Sequence, residues 1–382
     1  MNILSLFDGI SAGRLALQRA GIEVETYYRS EVNKFANKVA MHHFPNDMQL
    51  GDVTKWREWN IDWSSIDMLI GGSPCQGFSF AGKQAGTLAS VNGEMEIVAT
   101  REKYLKLKAR KENLENIIFL SESYLFWEYV LILDHIKSHN PNVKFLLENV
   151  KMKKELLQMI DDAMGVKSVV INSALLSAQN RVRHYWCNWE VKQPDDKGIL
   201  LRDIIEGEPE YLYSDLENDI RAGIVSTEQN LNGASQTMRR ALSNGKNPEQ
   251  KANSLTACAY KGMQTNGMSN VLINEFRPCE RINEKTEGHI ATATDIKGMD
   301  CIKRVYGQDG KAPTLTTMGG GHREPKVAVS DITYRKLTPT ECARLQTFPD
   351  GWCESVVSKT QSYKAYGNSW TIDVIAHILK GL

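Results

Sequence analysis

The first 190 residues alternate short apolar runs with stretches of helical periodicity, and few folds accommodate that alternation. NILSLF (2–7) passes through a small-residue turn into AGRLALQRA (12–20), and VETYYRSEV (24–32) into NKFANKVAMHHF (33–44). DMLIGG (67–72) opens into a loop. KFLLENV (144–150) follows YLFWEYVLILDHIKSH (124–139), and VKSVVINSALL (166–176) follows KKELLQMIDDAMG (153–165). Strand then helix, repeated, predicts an α/β fold with a mostly parallel sheet covered on both faces. Such sheets bind ligands at the carboxyl ends of their strands. Asp8, Glu31, Asp52, Cys75 and Glu148 all fall there.

Around residue 190 the character changes. Residues 233–330 are rich in Gly, Asn, Thr and Ser and carry 14 Lys and Arg against 9 Asp and Glu. NSLTACAYKGM (253–263), HIATATDIKGM (289–299) and APTLTTMGGGH (312–322) are Thr-rich stretches ending in glycine turns, which predicts short strands of a small β-rich lobe. From 334 the helix-forming pattern returns in YRKLTPTECARLQTF and YKAYGNSWTIDVIAHILKG. The expected organisation is a discontinuous domain, 1–190 with 331–382, and an inserted lobe at 191–330. Residues 85–120 form a further insertion with a basic helix over 101–118, six of whose first eleven residues are Lys or Arg. Its charges suit either a solvated face or contact with phosphates.

Composition removes several classes. No apolar run approaches the roughly 18 to 20 residues of a membrane helix, and the N-terminus reads as a strand rather than a secretory signal. Seven cysteines, an odd number without a C-x-x-C pair, argue against a disulfide framework or zinc ribbon and for a reducing compartment. His135 and His139 are spaced as a helical metal pair but have no third ligand in view, so no metal site is expected. The net charge of zero leaves partners to be read from local charge alone.

The chemistry concentrates in LIGGSPCQGFSFAG (69–82). A cysteine after a strand is ordinarily a small packing residue. Here Pro74 fixes the backbone before it, and surrounding glycines let the chain pass close to a ligand, which suits an exposed, partly ionised nucleophile. Glu148 ends an apolar strand, so its carboxylate points into the same cleft as a candidate general acid. Arg181 and Arg183, in QNRVRHYW (179–186), alternate on one side of a strand and can hold a phosphate or an electron-rich ring. FDGISAG (7–13) is a weak cofactor turn by itself. Glu31 and Asp52, each ending a strand, suit ribose hydroxyls, and a nucleoside with few phosphates fits these acids better than a pyrophosphate.

The set FDGISAG, GGSPCQGFSFAG, LLENV, QNRVR, RKLTPTECARLQTFPD and YGNS, in that order, resembles the DNA (cytosine-5)-methyltransferases over roughly 1–84, 120–216 and 331–382. The resemblance implies an S-adenosylmethionine-dependent, Rossmann-like methyltransferase fold with an inserted target recognition lobe. Carried over by position, Cys75 attacks carbon 6 of a flipped-out cytosine, and Glu148 holds ring nitrogen 3 and the exocyclic amine. Arg181 and Arg183 fix the base, while Gln76 and Ser79 touch DNA at the vacated position. Phe7, Gly9, Glu31, Asp52, Val53, Pro74, Asn368 and Ser369 line the S-adenosylmethionine site, and Leu125 closes it. SESYLF (121–126) lacks the Asp and Arg of the family's Asp-x-Arg-x-x-Leu-Phe segment, and Trp370 is bulkier than expected beside the cofactor.

The implied partner is double-stranded DNA, read by lobe residues for which Arg239, Arg240, Lys261, Arg304 and Arg323 are candidates. The same reaction on transfer RNA and a catalytically idle DNA-binding protein are the alternatives. S-adenosylhomocysteine would be the product. The implied setting is a monomer in the cytoplasm of a bacterial or phage system, with a possible cognate restriction endonuclease and no membrane partner.

Overall fold

A computed structural model describes residues 1–74, 88–113, 116–206, 276–278, 288–293, 296, 298–318, 322–328 and 334–382. Cys75, Gln76, Ser79, Arg239, Arg240, Lys261 and the stretch 253–263 lie outside the described residues. The chain divides into two units: Met1–Ile204 with Lys311–Gly319 and Pro339–Leu382, and Ile205–Gly310 with Gly320–Thr338.

The first unit begins with β1 (Asn2–Leu6), α1 (Ala12–Ala20), β2 (Thr26–Ser30), α2 (Lys34–His43), β3 (Met48–Gln49) and β4 (Met68–Gly72). An insertion follows: β5 (Leu88–Val91), β6 (Glu94–Ile97), α3 (Arg101–Glu112) and β7 (Ile117–Phe119). Then come α4 (Leu125–His139), β8 (Lys144–Val150), α5 (Lys154–Met164), β9 (Val169–Asn172) and β10 (Val182–Cys187). The main sheet runs β3-β2-β1-β4-β8-β10-β9. The pairs from β3 through β8 are parallel, and β10 runs antiparallel to both β8 and β9. Central strands buried on both faces must be apolar throughout, and Leu4, Leu6, Leu69 and Ile70 are fully buried. The chain leaves β1 for β2 on one side while β4 pairs on the other. The switch-point crevice therefore opens beyond Leu6 and Gly72.

Three local expectations give way. The basic helix stops at Glu112 instead of running to 118, and Ile117–Phe119 joins β5 and β6 in a three-stranded antiparallel sheet. Asn92 and Gly93, both at positive φ (51° and 93°), make the β5–β6 turn; Asn-Gly is the pair that such hairpin turns favour. Residues 334–336 are strand rather than helix, because the following α6 (Pro339–Leu345) starts at a proline suited to a first helical turn. The stretch 312–318 is not a strand of the lobe. It packs within the first unit, where Ala312 bridges Gln179 and Thr314 Oγ1 donates to the Asn180 carbonyl at 2.7 Å.

The first unit closes with α7 (Lys359–Asn368) and α8 (Ile372–Leu379). In the second unit β11 (Phe276–Pro278), β12 (His289–Ala293), β13 (Arg304–Tyr306), β14 (Lys326–Ala328) and β15 (Tyr334–Lys336) form one sheet in chain order. Its core is small: Ala291, Ala293, Ile296, Val305 and Ala328. Among the described residues no helix is long and apolar enough to cross a membrane.

Candidate active site

The crevice is built first from what β4 lacks. Gly72 pairs in register with Glu148 on β8. A Cβ at Gly72 would sit 2.8 Å from Trp370 Nε1 and 3.0 Å from Glu148 Oε2, so only glycine leaves both groups in place. Beyond Gly72, Ser73 is held by Asn149, whose Nδ2 donates to Ser73 Oγ at 3.0 Å with both residues buried. The strand-end Asn thus fixes the backbone that leads into Pro74.

Glu148 is 8% exposed, with an ion-pair partner beside one carboxylate oxygen and a hydrogen-bond donor at the other. Arg183 Nε lies 3.0 Å from Oε1, and Trp370 Nε1 donates to Oε2 at 3.2 Å. The antiparallel β10 places Arg183 here, next to Tyr185, which is paired directly with Glu148. Burial, reinforced by the Glu148 charge, pushes the Tyr185 phenol well above its ordinary range. A buried carboxylate facing a guanidinium and an indole N–H is held at one orientation, ready for a polar ring with donor and acceptor edges.

Arg181 is engaged elsewhere. Its Nη2 donates to the Ser369 carbonyl at 2.9 Å, and its Nη1 to Leu315 at 3.3 Å and Gly367 at 3.5 Å. Both of its terminal nitrogens are thus engaged with backbone carbonyls. Arg181 precedes β10, whose first residue is Val182. Gly367 belongs to the same knot: a Cβ there would lie 1.8 Å from the Thr316 carbonyl.

The other wall of the crevice comes from the β1–α1 turn. Phe7 and Ser11 adopt left-handed φ values of 57° and 60°, with Gly9 at 61° between them. Strained non-glycine backbone of this kind persists where surroundings over-determine it. Asp8 supplies that constraint. Its carboxylate accepts from Ser5 Oγ (2.6 Å), Ser11 Oγ (2.8 Å) and Tyr27 Oη (2.7 Å), and burial still raises its pKa. Glu31 accepts from the Gly9 N–H (2.9 Å) and from the N–H groups of Val32 (2.9 Å) and Asn33 (2.7 Å). Burial raises Glu31 as well, against those backbone donors. Asp52, exposed, caps the 3-10 turn at Val53–Glu58 by accepting from Thr54 N–H at 2.9 Å. Val53 is buried, Leu125 is half-buried at the start of α4, and Asn368 is exposed at the end of α7.

A nucleoside cofactor fits this wall. Ser369 Oγ is buried and has no hydrogen-bond partner among the described residues, as expected of a group that awaits a ligand. Glu31 and Asp52 offer carboxylate acceptors to hydroxyls, and Phe7, Val53 and Leu125 offer apolar surface.

A family model described as C-5 cytosine-specific DNA methylase matches residues 1–101 and 115–382. The chain belongs to that family. It is an enzyme that methylates carbon 5 of cytosine in DNA, the first of the three readings carried from the sequence. Among its relatives is the orphan methyltransferase M.SPBetaI of Bacillus phage SPbeta, 28% identical, with 100% of this chain and 97% of the relative aligned. The type II methyltransferase M.HhaI of Haemophilus parahaemolyticus is 24% identical over 99% of this chain and 93% of its own. Two solved structures share the fold. A prophage-encoded DNA modification methyltransferase (E. coli) has a TM-score of 0.51 at 17% identity, covering 100% of this chain and 98% of that one. Entamoeba histolytica methyltransferase EhMeth has a TM-score of 0.52 at 13% identity, covering 100% and 97%.

For this cytosine methylase the interval without a family match, 102–114, coincides with α3. That helix is mostly exposed but has a narrow inward face. Tyr104 and Leu107 are buried, and Lys108 pairs with Glu128 of α4, which is fully buried and also accepts from Tyr104 Oη and from Trp56 Nε1 (2.9 Å). Lys103 pairs with Glu96, and Arg101 with Asp134. At least three of the six basic residues noted in the sequence are thus matched to carboxylates of the protein itself, which weighs against phosphate contact by this charge run. His135 and His139 stand with ring centroids 4.6 Å apart, and His135 packs against Trp56 and Trp63. In the lobe, Arg304 lies on β13 and Arg323 is exposed before β14.

Sequence reasoning missed the Trp370 donor and the Asn149–Ser73 link. Trp370 was conspicuous only as bulk; its partner lies 222 positions away, and no local pattern encodes that contact.

Proposed function

We propose that catalysis runs by covalent addition of Cys75 to a cytosine rotated out of duplex DNA, with Glu148 and Arg183 holding the ring. The observation that supports it is Glu148 itself: a nearly buried carboxylate with Arg183 on one oxygen, in register with the strand that leads through Pro74 into Cys75. Carbon 5 of cytosine is a poor nucleophile. When the Cys75 thiolate forms a bond to carbon 6, the ring's electrons shift toward carbon 5; Glu148, as general acid, donates its proton to nitrogen 3 while its carboxyl group accepts from the exocyclic amine, which stabilises the resulting enamine. S-adenosylmethionine, when bound, supplies an electrophilic methyl group and is left as S-adenosylhomocysteine. A base then removes the carbon 5 proton, the carbon–sulfur bond breaks, and the thiolate returns. No stacked base is accessible to such chemistry, so the target must leave the helix (the handling known for methyltransferases as a class).

Phe7, Gly9, Glu31, Asp52, Val53, Pro74, Asn368 and Ser369 would hold the methyl donor, with Leu125 at its edge. Arg181 supports them by fixing the Ser369 backbone. Gln76 and Ser79 would contact DNA beside the vacated position. Within the inserted segment 191–330, the part that belongs to the second unit would read sequence, with Arg239, Arg240, Lys261, Arg304 and Arg323 as its first candidates. Relatives from phages and bacteria support a bacterial or phage enzyme. It would act as a monomer in the cytoplasm, with or without a partner nuclease.

The decisive experiment offers the enzyme duplex DNA carrying 5-fluorocytosine, with S-adenosylmethionine present. A denaturation-resistant adduct mapped to Cys75, and lost in Cys75→Ala, is expected. Absence of any adduct on a DNA that the enzyme methylates overturns the covalent route.

A further inference from the structure

Trp370 touches both halves of the crevice. Its indole Nε1 donates to Glu148 Oε2 at 3.2 Å, and its ring would lie 3.4 Å from a Cβ on Gly13, in the first turn of α1 after the strained β1–α1 turn. The backbone before it cannot drift. Arg181 and Gln346 both donate to the Ser369 carbonyl, at 2.9 and 3.3 Å, and Gln346 also reaches the Tyr366 carbonyl at 2.8 Å. The backbone after it is held as well: Thr371 Oγ1 donates to Gln346 Oε1 at 2.8 Å.

A glutamate side chain has a broad, soft terminal torsion, so a carboxylate that must meet two adjacent atoms of a ring needs its plane fixed from outside. Arg183 fixes one oxygen. We propose that Trp370 is the positioning residue that fixes the other, setting the Glu148 carboxylate plane against the cytosine edge from the same segment that carries Asn368 and Ser369. The proposal rests on the reading of Glu148 given above. Its consequence is mechanical: the loop that lines the donor side and the carboxylate that grips the base are one rigid unit, joined through a single N–H. The donor also adds specificity by occupying a lone pair on Oε2, so that fewer acceptor directions remain for a mispresented base.

Trp370→Phe keeps an aromatic ring and removes the donor. In steady-state methylation of DNA, its kcat is expected to fall about tenfold, with KM for DNA and for S-adenosylmethionine within about twofold of the parent. Glu148→Gln, assayed alongside, reports on the underlying reading: if it retains full turnover, the role given to Glu148 fails first. If Glu148→Gln is inactive while Trp370→Phe keeps kcat within about twofold, the positioning role alone is overturned. Measurable residual turnover in Glu148→Gln allows a cycle. There, Trp370→Phe should add less than about twofold, and a full additive loss would give Trp370 a role independent of Glu148. Gly72→Ala is the second route should Trp370→Phe fold poorly. It drives a methyl between the indole and the carboxylate, at 2.8 and 3.0 Å, and is expected to lower kcat in the same way. Parent-like kcat in a folded Gly72→Ala enzyme counts against the proposal.

Discussion

Arg181 donates from Nη2 to the carbonyl of Ser369 at 2.9 Å, across 188 positions of sequence. That contact explains how motifs distant along the chain act as one site. The same guanidinium reaches the carbonyls of Leu315 and Gly367, so the segments before β10, at 315 and at the end of α7 converge on one buried cation. Arg183, two residues on, faces Glu148 instead. One arginine holds the walls together and the other holds the reactive carboxylate.

Replacing the two arginines separates these roles. Arg181→Met takes the guanidinium donor from the Leu315 and Gly367 carbonyls and leaves that of Ser369 with Gln346 alone, at about 1–3 kcal/mol for each that stays buried and unpaired, and about 2–4 kcal/mol after relaxation. Urea unfolding should show that loss, and equilibrium titration should show weaker S-adenosylmethionine binding. Arg183→Met should lower kcat by 10-fold or more with a smaller change in the urea midpoint. Equal stability losses with no difference in donor affinity would refute the division.

A second test concerns the insertion. Glu128 is fully buried, and Lys108 of α3 brings the cation that balances it. Lys108→Met should cost about 3–5 kcal/mol, because an uncompensated buried carboxylate remains. Adding Glu128→Gln should recover a large part of that loss, and the pair makes a double-mutant cycle read by urea denaturation. With Lys103 and Lys108 already matched to carboxylates, replacing both should leave the salt dependence of DNA binding nearly unchanged. A clearly flatter slope would return the helix to the DNA-contacting role.

Much of this was legible in the sequence, for identifiable reasons. Strand–helix alternation depends on local periodicity, so β1, α1, β2, α2, β4, α4, β8 and α5 fall where the apolar patterns put them. Strand ends are local too, which is why Glu31 and Glu148 were found at the crevice. The Asn92–Gly93 turn was equally local, and it went unused because the basic run after it dominates the segment. The inward face of α3 is different in kind: Lys108 reads as solvated until Glu128 is seen beneath it. The carbonyls that engage Arg181 lie at 315, 367 and 369, far from it along the chain. Trp370 acquires its role from a carboxylate on another strand. Contacts of that kind are products of topology, and no stretch of sequence short enough to scan contains both partners.

The last prediction concerns pH. Asp47 is pushed up to about 6, chiefly by burial, although Arg14 lies 3.6 Å away and opposes the shift. Burial raises Asp8 and Glu31 in the same direction. A carboxyl group with a higher pKa in the folded state binds more protons there than in the unfolded chain, so stability declines as pH rises through that interval. For Asp47 the contribution is complete below its ordinary value of 3.8 and is lost as pH passes about 6. Urea midpoints of the parent measured from pH 4.5 to 7 should therefore carry a declining component that Asp47→Asn lacks, since the amide does not titrate. The difference between the two midpoints should shift in favour of the Asn variant as pH rises through that range. A difference that stays constant across it would mean that Asp47 ionises in the folded protein as it does in the unfolded chain.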